Sequence, residues 1–545
     1  MIPKAFSPTL LSALQLPCHF LRWPALLICV VAGLLASTAF AGANLSAWVY
    51  PGPTGRLISQ PDAQGNHIID SSGVGYMGGT VPLPNVPTVM TISPVPGDNT
   101  ANIQGALDQM AARTPDATGF RGALLLTAGY YAISNTFSIN AGGIVLRGVG
   151  NGTNGTVIFS TSTNGPGNGP LKSQVQGVVV ISGSYSPTPT PGTSNNITDN
   201  YVPVGARSFT VDNVGLLDTV NNNHVIIHRP STANWIHDIG MDQLNTPWTS
   251  GTVDVDEERV ITRIEGNRIF IDEPLTTALD QKYGGGSIYA FTWPQRFENI
   301  GIENLRGQSI YDVNNTNDED HAWVFLRFSN TENLWVRNVV SQYFGKSCVS
   351  IQNGCKYGTV INCQCLDPIS IILSERRYAF DLNSCQFCLV QNCFTRSDRH
   401  SFITQSLTAS DVFLDGAAQQ AYDKAGPHVM WASGLLYDNI TSDNGIVCAN
   451  NGNAGAAGNP GQGWTGANCS FWNCGAGAST DGFDIEQAPT THNWLVGGIG
   501  PLVSGGSGAG GHGPGTFDST GTNVFPNSLY YAQLQDRIAV PGLST

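Results

Sequence analysis

Short apolar segments that alternate with polar positions and close on Gly or Asn run along most of the chain. A period of two residues points to β-strands, and the frequent turn residues keep each strand short. Residues 122–133, 137–139 and 143–150 form the first such group. One segment departs from this pattern. At 98–113, Ile103, Leu107, Met110 and Ala111 recur at helical spacing, and Asp98 or Asn99 can cap the start. A helix there is placed to shield the open end of a strand stack. Residues 42–97 are punctuated by Pro and Gly and are expected to be an extended entry segment. Residues 164–201, rich in Gly, Pro, Ser and Thr, are expected to be a surface excursion. Beyond them, 223–230 reads as a strand and 263–274 as a strand pair around Gly266 and Asn267.

From residue 297 the pattern repeats. Segments 299–305, 333–338, 358–363, 388–393, 434–439 and 468–473 are each an apolar-alternating strand that ends close to an Asn or Cys. Most are spaced roughly 25–35 residues apart, in the range of repeat architectures. No single unit buries its own apolar side, but stacked coils do, with Val, Ile, Leu and Cys facing inward. The expected class is therefore all-β: a single-stranded right-handed parallel β-helix over 98–500 with an N-terminal capping helix. The tail, 501–545, is expected to pack on it. A β-sandwich is the competing fold, but it does not require the same strand ending to recur at coil-like intervals.

Composition sharpens this picture. Charged residues make up only 12% of the chain and Gly numbers 64, which disfavours long solvated helices. At the start, the apolar run 25–36 leads to Ala39 and Ala41, which fits a signal peptide over 1–41, with a signal anchor as the alternative. An extracellular, secreted protein without a transmembrane anchor after cleavage is expected. The net charge of −14 repels nucleic acid, so no nucleic-acid partner is expected. Of the 12 cysteines, Cys18 and Cys29 fall in the leader and the rest lie between Cys348 and Cys474. In an exported chain they are expected to form disulfides, with Cys385 or Cys388 joined to Cys363 or Cys365, rather than a zinc or redox motif. Sequons begin at Asn44, Asn151, Asn154, Asn196, Asn314, Asn439 and Asn468, and their use depends on the host.

The segment 98–150, with its helix, its Thr127-Ala-Gly-Tyr-Tyr131 turn and its Leu146-Arg-Gly-Val-Gly150 strand ending, resembles the opening of the pectate-lyase-like β-helix superfamily. Arg229-Pro-Ser-Thr232, Arg376-Arg-Tyr378, Arg399-His400, Gly426-Pro-His428 and Ser528-Leu-Tyr-Tyr531 extend the resemblance to its large secreted members, over about 95–540. It implies the fold strongly and the chemistry weakly, because lyases, hydrolases, epimerases and non-enzymatic proteins share that fold. Where related proteins often carry Asp, this chain has Ser401.

Three clusters carry candidate chemistry. Asp318, Glu319 and Asp320 precede His321 and Trp323, and form either a solvated acidic turn able to bind Ca²⁺ or a substrate loop. Glu375, Arg376, Arg377 and Tyr378 place two adjacent arginines in a charge-poor chain, and strand alternation allows only one to face a groove. Arg399, His400, Asp415, Asp423, His428 and Trp431 form the third cluster. His400 and His428 are separated by a coil-like interval, as are Arg377 and Arg399. The expected catalytic group is His400, Arg399, Arg377, His428, Glu375 and Asp415. Arg376, Tyr378, His321, Trp323 and Trp431 are expected to bind substrate, and no cofactor is required beyond the possible Ca²⁺. Elimination at a uronic acid needs a neutralised carboxylate and a base for the C5 proton, which Arg and His supply. Hydrolysis needs two carboxylates at defined separation, and Asp367, Glu375, Asp398, Asp415 and Asp423 offer candidates. The expected function is an extracellular polysaccharide-degrading enzyme, a uronate lyase in preference to a glycoside hydrolase. A non-catalytic glycan-binding or adhesion protein is the third possibility. Gly-x-Ser-x-Gly, His-Glu-x-x-His and P-loop patterns do not occur.

Overall fold

The computed structural model describes residues 43–163, 177–455, 460–477, 482–503 and 513–539. The signal-peptide segment lies outside the described residues. Three parallel sheets run the length of the molecule, and successive coils contribute one strand to each, building a right-handed parallel β-helix. The first sheet begins at Thr88–Ile92 and Gly122–Leu126 and continues through Phe297–Glu303, Thr331–Arg337 and the later coils to Thr516–Asp518. The second starts at Gly129–Ile133, and the third at Phe137–Ile139 and Gly177–Ser182. Helix α1, Thr100–Ala111, buries Ile103, Ala106, Leu107 and Met110 against the first coil.

The recurring strand ending has a physical basis. Asn304, Asn338, Asn362 and Asn392 all adopt positive φ, between 50° and 56°, at the corner between the first and second sheets. Asn tolerates that conformation better than most residues. Their amides form a ladder: Asn338 donates to Asn304 at 2.9 Å, Asn362 to Asn338 at 3.3 Å and Asn392 to Asn362 at 2.6 Å. Inside the coils, aromatic rings stack from turn to turn. Phe380 and Phe402 lie 5.8 Å apart with planes 7° from parallel, and Phe413, Tyr437 and Phe471 continue the run at 4.8 and 5.0 Å. Gly416 makes room for it, since a Cβ there would come within 2.7 Å of the Phe402 ring.

Two expectations are corrected. The range 164–201 is not all excursion: Gly177–Ser182 is a third-sheet strand with Val179 and Ile181 fully buried. The interruption instead falls later, where an antiparallel sheet of short strands is inserted between that strand and Phe297–Glu303. His224–Arg229, Val255–Glu265 and Ser287–Thr292 are its main members. It has its own core of Phe209, Val225, Ile227, Ile261, Ile269 and Ile288, and Glu258 locks it to the coil through Arg296 at 2.8 Å. The ten described cysteines are all buried free thiols, with Cys363 and Cys393 on inward positions beside the Asn ladder, where they pack as small apolar side chains. Asn468 is buried with its amide on the Thr276 carbonyl, so that sequon is closed to a glycan in the folded chain.

Toward the end, Thr516–Asp518 closes the first sheet and helix α2, Leu529–Ile538, packs on its outer side. Ser528 caps α2 and also donates to Asp438 at 2.7 Å, while Arg537 reaches Glu273 of the insertion at 2.9 Å. Among the described residues, no helix is long and apolar enough to cross a membrane.

Candidate active site

Parallel stacking turns distant residues into neighbours. In the third sheet Tyr378 lies in register with His400, and the following coil, at Gly426–Pro427, delivers His428 beside them. The two imidazole rings are 4.5 Å apart, and the Tyr378 ring packs edge-on at 5.2 Å from His400 and 5.8 Å from His428. Lys346, one coil earlier, places its ammonium 5.5 Å from the centre of the Tyr378 ring and 3.6 Å from the buried carboxylate of Asp381. Glu375 lies 3.5 Å from the same ammonium and is exposed.

One hydrogen bond sets the tautomer of the neutral ring. Nδ1 of His400 sits 2.8 Å from the Lys424 carbonyl oxygen, which can only accept, so the proton is on Nδ1 and Nε2 carries the lone pair. Nε2 is buried and has no hydrogen-bond partner. Burial and then the neighbouring Arg399 guanidinium push the His400 imidazole down to about 3. Burial, then His400 and Arg399, push His428 down to about 3 as well. Both rings are therefore neutral at pH values where ordinary histidines are charged.

One carboxylate bridges this group. Asp423 Oδ2 lies 3.4 Å from an Arg399 nitrogen and 3.5 Å from His400 Nε2, and its side chain is 39% exposed. A carboxylate thus fits between the guanidinium and the basic nitrogen, on a partly exposed side chain whose other oxygen accepts the Lys424 N–H at 2.9 Å. Arg399 also reaches the Tyr378 hydroxyl at 3.5 Å. Burial pushes that phenol well above its ordinary value, so it remains a proton donor.

Other expected site residues go elsewhere. Arg377, at φ 58°, turns into the loop and donates to the Ser370, Ser397 and Thr316 carbonyls. It is a loop clamp: its strand neighbour Arg399 faces the histidines. Asp415 occupies an Asn-ladder position on the first sheet, at φ 51°, and accepts from Asn439 at 3.1 Å and from Tyr531 at 3.3 Å. Arg376 is paired with Glu319 at 2.7 Å and lies over buried Trp323 at 4.9 Å. His321 is held between Ser309 at 3.1 Å and the Ile369 carbonyl at 2.9 Å. Trp431 joins a buried cluster with Trp235 and Trp248.

The Ca²⁺ candidates do not converge. Asp318 accepts the N–H groups of Asp312 and Asp320, Glu319 is committed to Arg376 and Ser370, and Asp320 is exposed. Among the described residues, the group with three ligand atoms within 4.8 Å of one another is Cys385, Cys388 and Asp411, inside the coil. There Asp411 accepts the Cys388 N–H at 2.6 Å and the Cys385 thiol at 3.5 Å, and burial holds its carboxyl well above the usual range. Lys346, Lys424 and Asp381 were not singled out from sequence. Lys346 and Asp381 are isolated charges along the chain and Lys424 stands beside Asp423, and stacking gives all three their partners on other coils.

No protein-family model matches the chain, and no curated protein matches it. Solved structures do. ORF18 of Geobacillus virus E2 is 11% identical at a TM-score of 0.35, over 80% of this chain and 59% of that one. This chain therefore spans about three-fifths of that relative. The A-module of a mannuronan C-5 epimerase from Azotobacter vinelandii is 12% identical at 0.35, over 79% of this chain and 96% of that one. A polygalacturonase from Erwinia carotovora is 9% identical at 0.34, over 82% and 96%. At these low identities and TM-scores the chemistry of this chain has to be read from its own residues.

Proposed function

We propose that this chain is a carbohydrate-active enzyme that acts outside the cell on an acidic polysaccharide, cleaving it by elimination at uronate residues. The observation that carries this reading is the His400 tautomer: an Nε2 without a hydrogen bond beside a guanidinium, with the Asp423 carboxylate 3.4–3.5 Å from both. A uronate carboxylate takes the place of Asp423 against Arg399. His400 Nε2 accepts the C5 proton, the C5–H electron pair becomes the C4=C5 double bond, and the C4–O bond breaks. Tyr378 donates its proton to the leaving oxygen, and the enzyme is restored when His400 Nε2 releases the C5 proton to solvent and Tyr378 takes one back. The role of Arg399 is to stabilise charge that grows on the carboxylate as the proton leaves.

The test is incubation with acidic and neutral glycans, following ultraviolet absorbance of the unsaturated uronide and, separately, new reducing ends. Elimination gives both signals on polyuronates and neither on neutral glycans. Reducing ends without absorbance overturn the reading in favour of hydrolysis, and retained binding without either signal favours a glycan-binding protein. Asp423→Asn separates the two chemistries further. For elimination it is expected to leave turnover intact and lower KM, because a competing carboxylate is removed. A hydrolase that uses Asp423 as one of its two carboxylates would lose turnover in this variant.

A further inference from the structure

A cavity lies between the insertion and the coil, about 260 Å³ in volume and lined by Arg229, Trp235, Tyr283, Trp431, Asn468 and Tyr201 among others. It differs from the histidine site in its residues and in its imbalance of hydrogen-bonding groups. Arg229 is 7% exposed, and its guanidinium stacks on the Trp235 ring at 4.1 Å. Its Nη1 is buried without an acceptor, and so are the indole N–H groups of Trp235 and Trp431. Three residues of one cavity wall thus each leave a buried donor unmatched. None of the cavity's lining residues has a buried side-chain acceptor left unmatched.

The nearby carboxylates are committed elsewhere. Asp254 accepts the Ser231 N–H at 2.7 Å and its hydroxyl at 2.8 Å. Asp280 accepts the Lys282 N–H at 2.9 Å, and the Lys282 ammonium is held by Asp238 at 2.7 Å. Among the described residues, no carboxylate comes within 4.0 Å of the Arg229 guanidinium. Burial pushes that guanidinium down to about 10, against the weaker opposing pull of Asp254 and Asp280. Buried charges are normally paired, and orphaned buried donors are uncommon.

We propose that this cavity binds the carboxylate-bearing ring of an acidic sugar, with Arg229 taking the carboxylate and the aromatic walls taking the ring. The volume is below the roughly 300–1,000 Å³ of sites for drug-sized ligands, so it suits one sugar unit rather than a chain. Stacking on Trp235 holds the guanidinium in place as a fixed donor for the anion. The proposal takes its sugar class from the uronate reading above, and it names a second binding site for that class, independent of catalysis.

The experiment is a titration of the whole protein with methyl glucuronoside, its neutral methyl ester, methyl glucoside, acetate and sulfate, read by intrinsic tryptophan fluorescence and by calorimetry. Saturable binding of the glucuronoside is expected, weakened about tenfold or more in the ester and in Arg229→Gln. Arg399→Gln, which disables the histidine site, is expected to keep the fluorescence response. Equal binding of acetate or sulfate, with no preference for the sugar, overturns the proposal and leaves a simple anion site. No response from the wild-type protein overturns it as well, whether or not Arg229→Gln folds. Loss of the response in Arg399→Gln with Arg229→Gln unaffected would place the only uronate site at the histidines. Because turnover is not measured, failure here is distinguishable from failure of the elimination reading.

Discussion

Replacing His400 by glutamine is expected to lower kcat for polyuronate cleavage by about 10²–10⁴-fold, with little change in substrate binding. Glutamine keeps much of the volume and can still donate an amide N–H toward the Lys424 carbonyl, so the coil is preserved. It cannot accept a proton at the Nε2 position. The pH dependence distinguishes this role from a structural one. An ordinary histidine base loses activity as pH falls through about 6.5. His400 is pushed down to about 3, so its neutral form, and with it kcat/KM, should persist through pH 5. A bound uronate favours the imidazolium, so the acid limb of kcat should lie at higher pH than that of kcat/KM. An H400Q variant with unchanged kcat would assign the base elsewhere. His428 is the weaker candidate because, among the described residues, no hydrogen bond fixes its ring.

The largest expected effect on stability comes from Phe402→Ala, at about 3–5 kcal/mol. Phe402 is fully buried, stacks on Phe380 in the preceding coil and meets Phe413 edge-on at 5.8 Å. Gly416 leaves the space this ring fills, and the backbone around it is tied into both neighbouring coils, so the cavity collapses poorly. In a stack where each coil touches only its neighbours, the damage should concentrate near coils 378–440. Chemical denaturation and hydrogen exchange measure both parts. A loss below about 1 kcal/mol would show that the aromatic run is not a packed core.

The coil repeat was legible because its cause is local and recurrent. A corner that needs positive φ selects Asn, and Asn304, Asn338, Asn362 and Asn392 mark it in the sequence before any contact is known. The insertion was hidden because antiparallel strands share the two-residue period of the coils, and pairing direction leaves no trace in that pattern. The strand at Gly177–Ser182 was masked by the Gly- and Pro-rich residues around it. Export context suggested disulfides, but inward positions next to a ladder also select small apolar side chains, and thiols serve there.

At the site, coil-like spacing pointed to His400 and His428 as neighbours, and their ring centres lie 4.5 Å apart because successive coils stack in register. The same spacing misplaced Arg377, whose positive φ turns its side chain away from the groove, and Asp415, which stands where the ladder elsewhere has Asn. Spacing identifies the coil a residue belongs to, and the corner conformation decides which way the side chain points. Asp423 gained its meaning only from distances to two partners on another coil.

The base assignment is tested most directly by nitrogen-15 NMR of selectively labelled histidine, with H400Q used to identify the His400 signals. At pH 5, where an unperturbed histidine is mostly charged, the account predicts a neutral His400 ring with its proton on Nδ1 and an unprotonated Nε2. An imidazolium at that pH, or a neutral ring with the proton on Nε2, would contradict it.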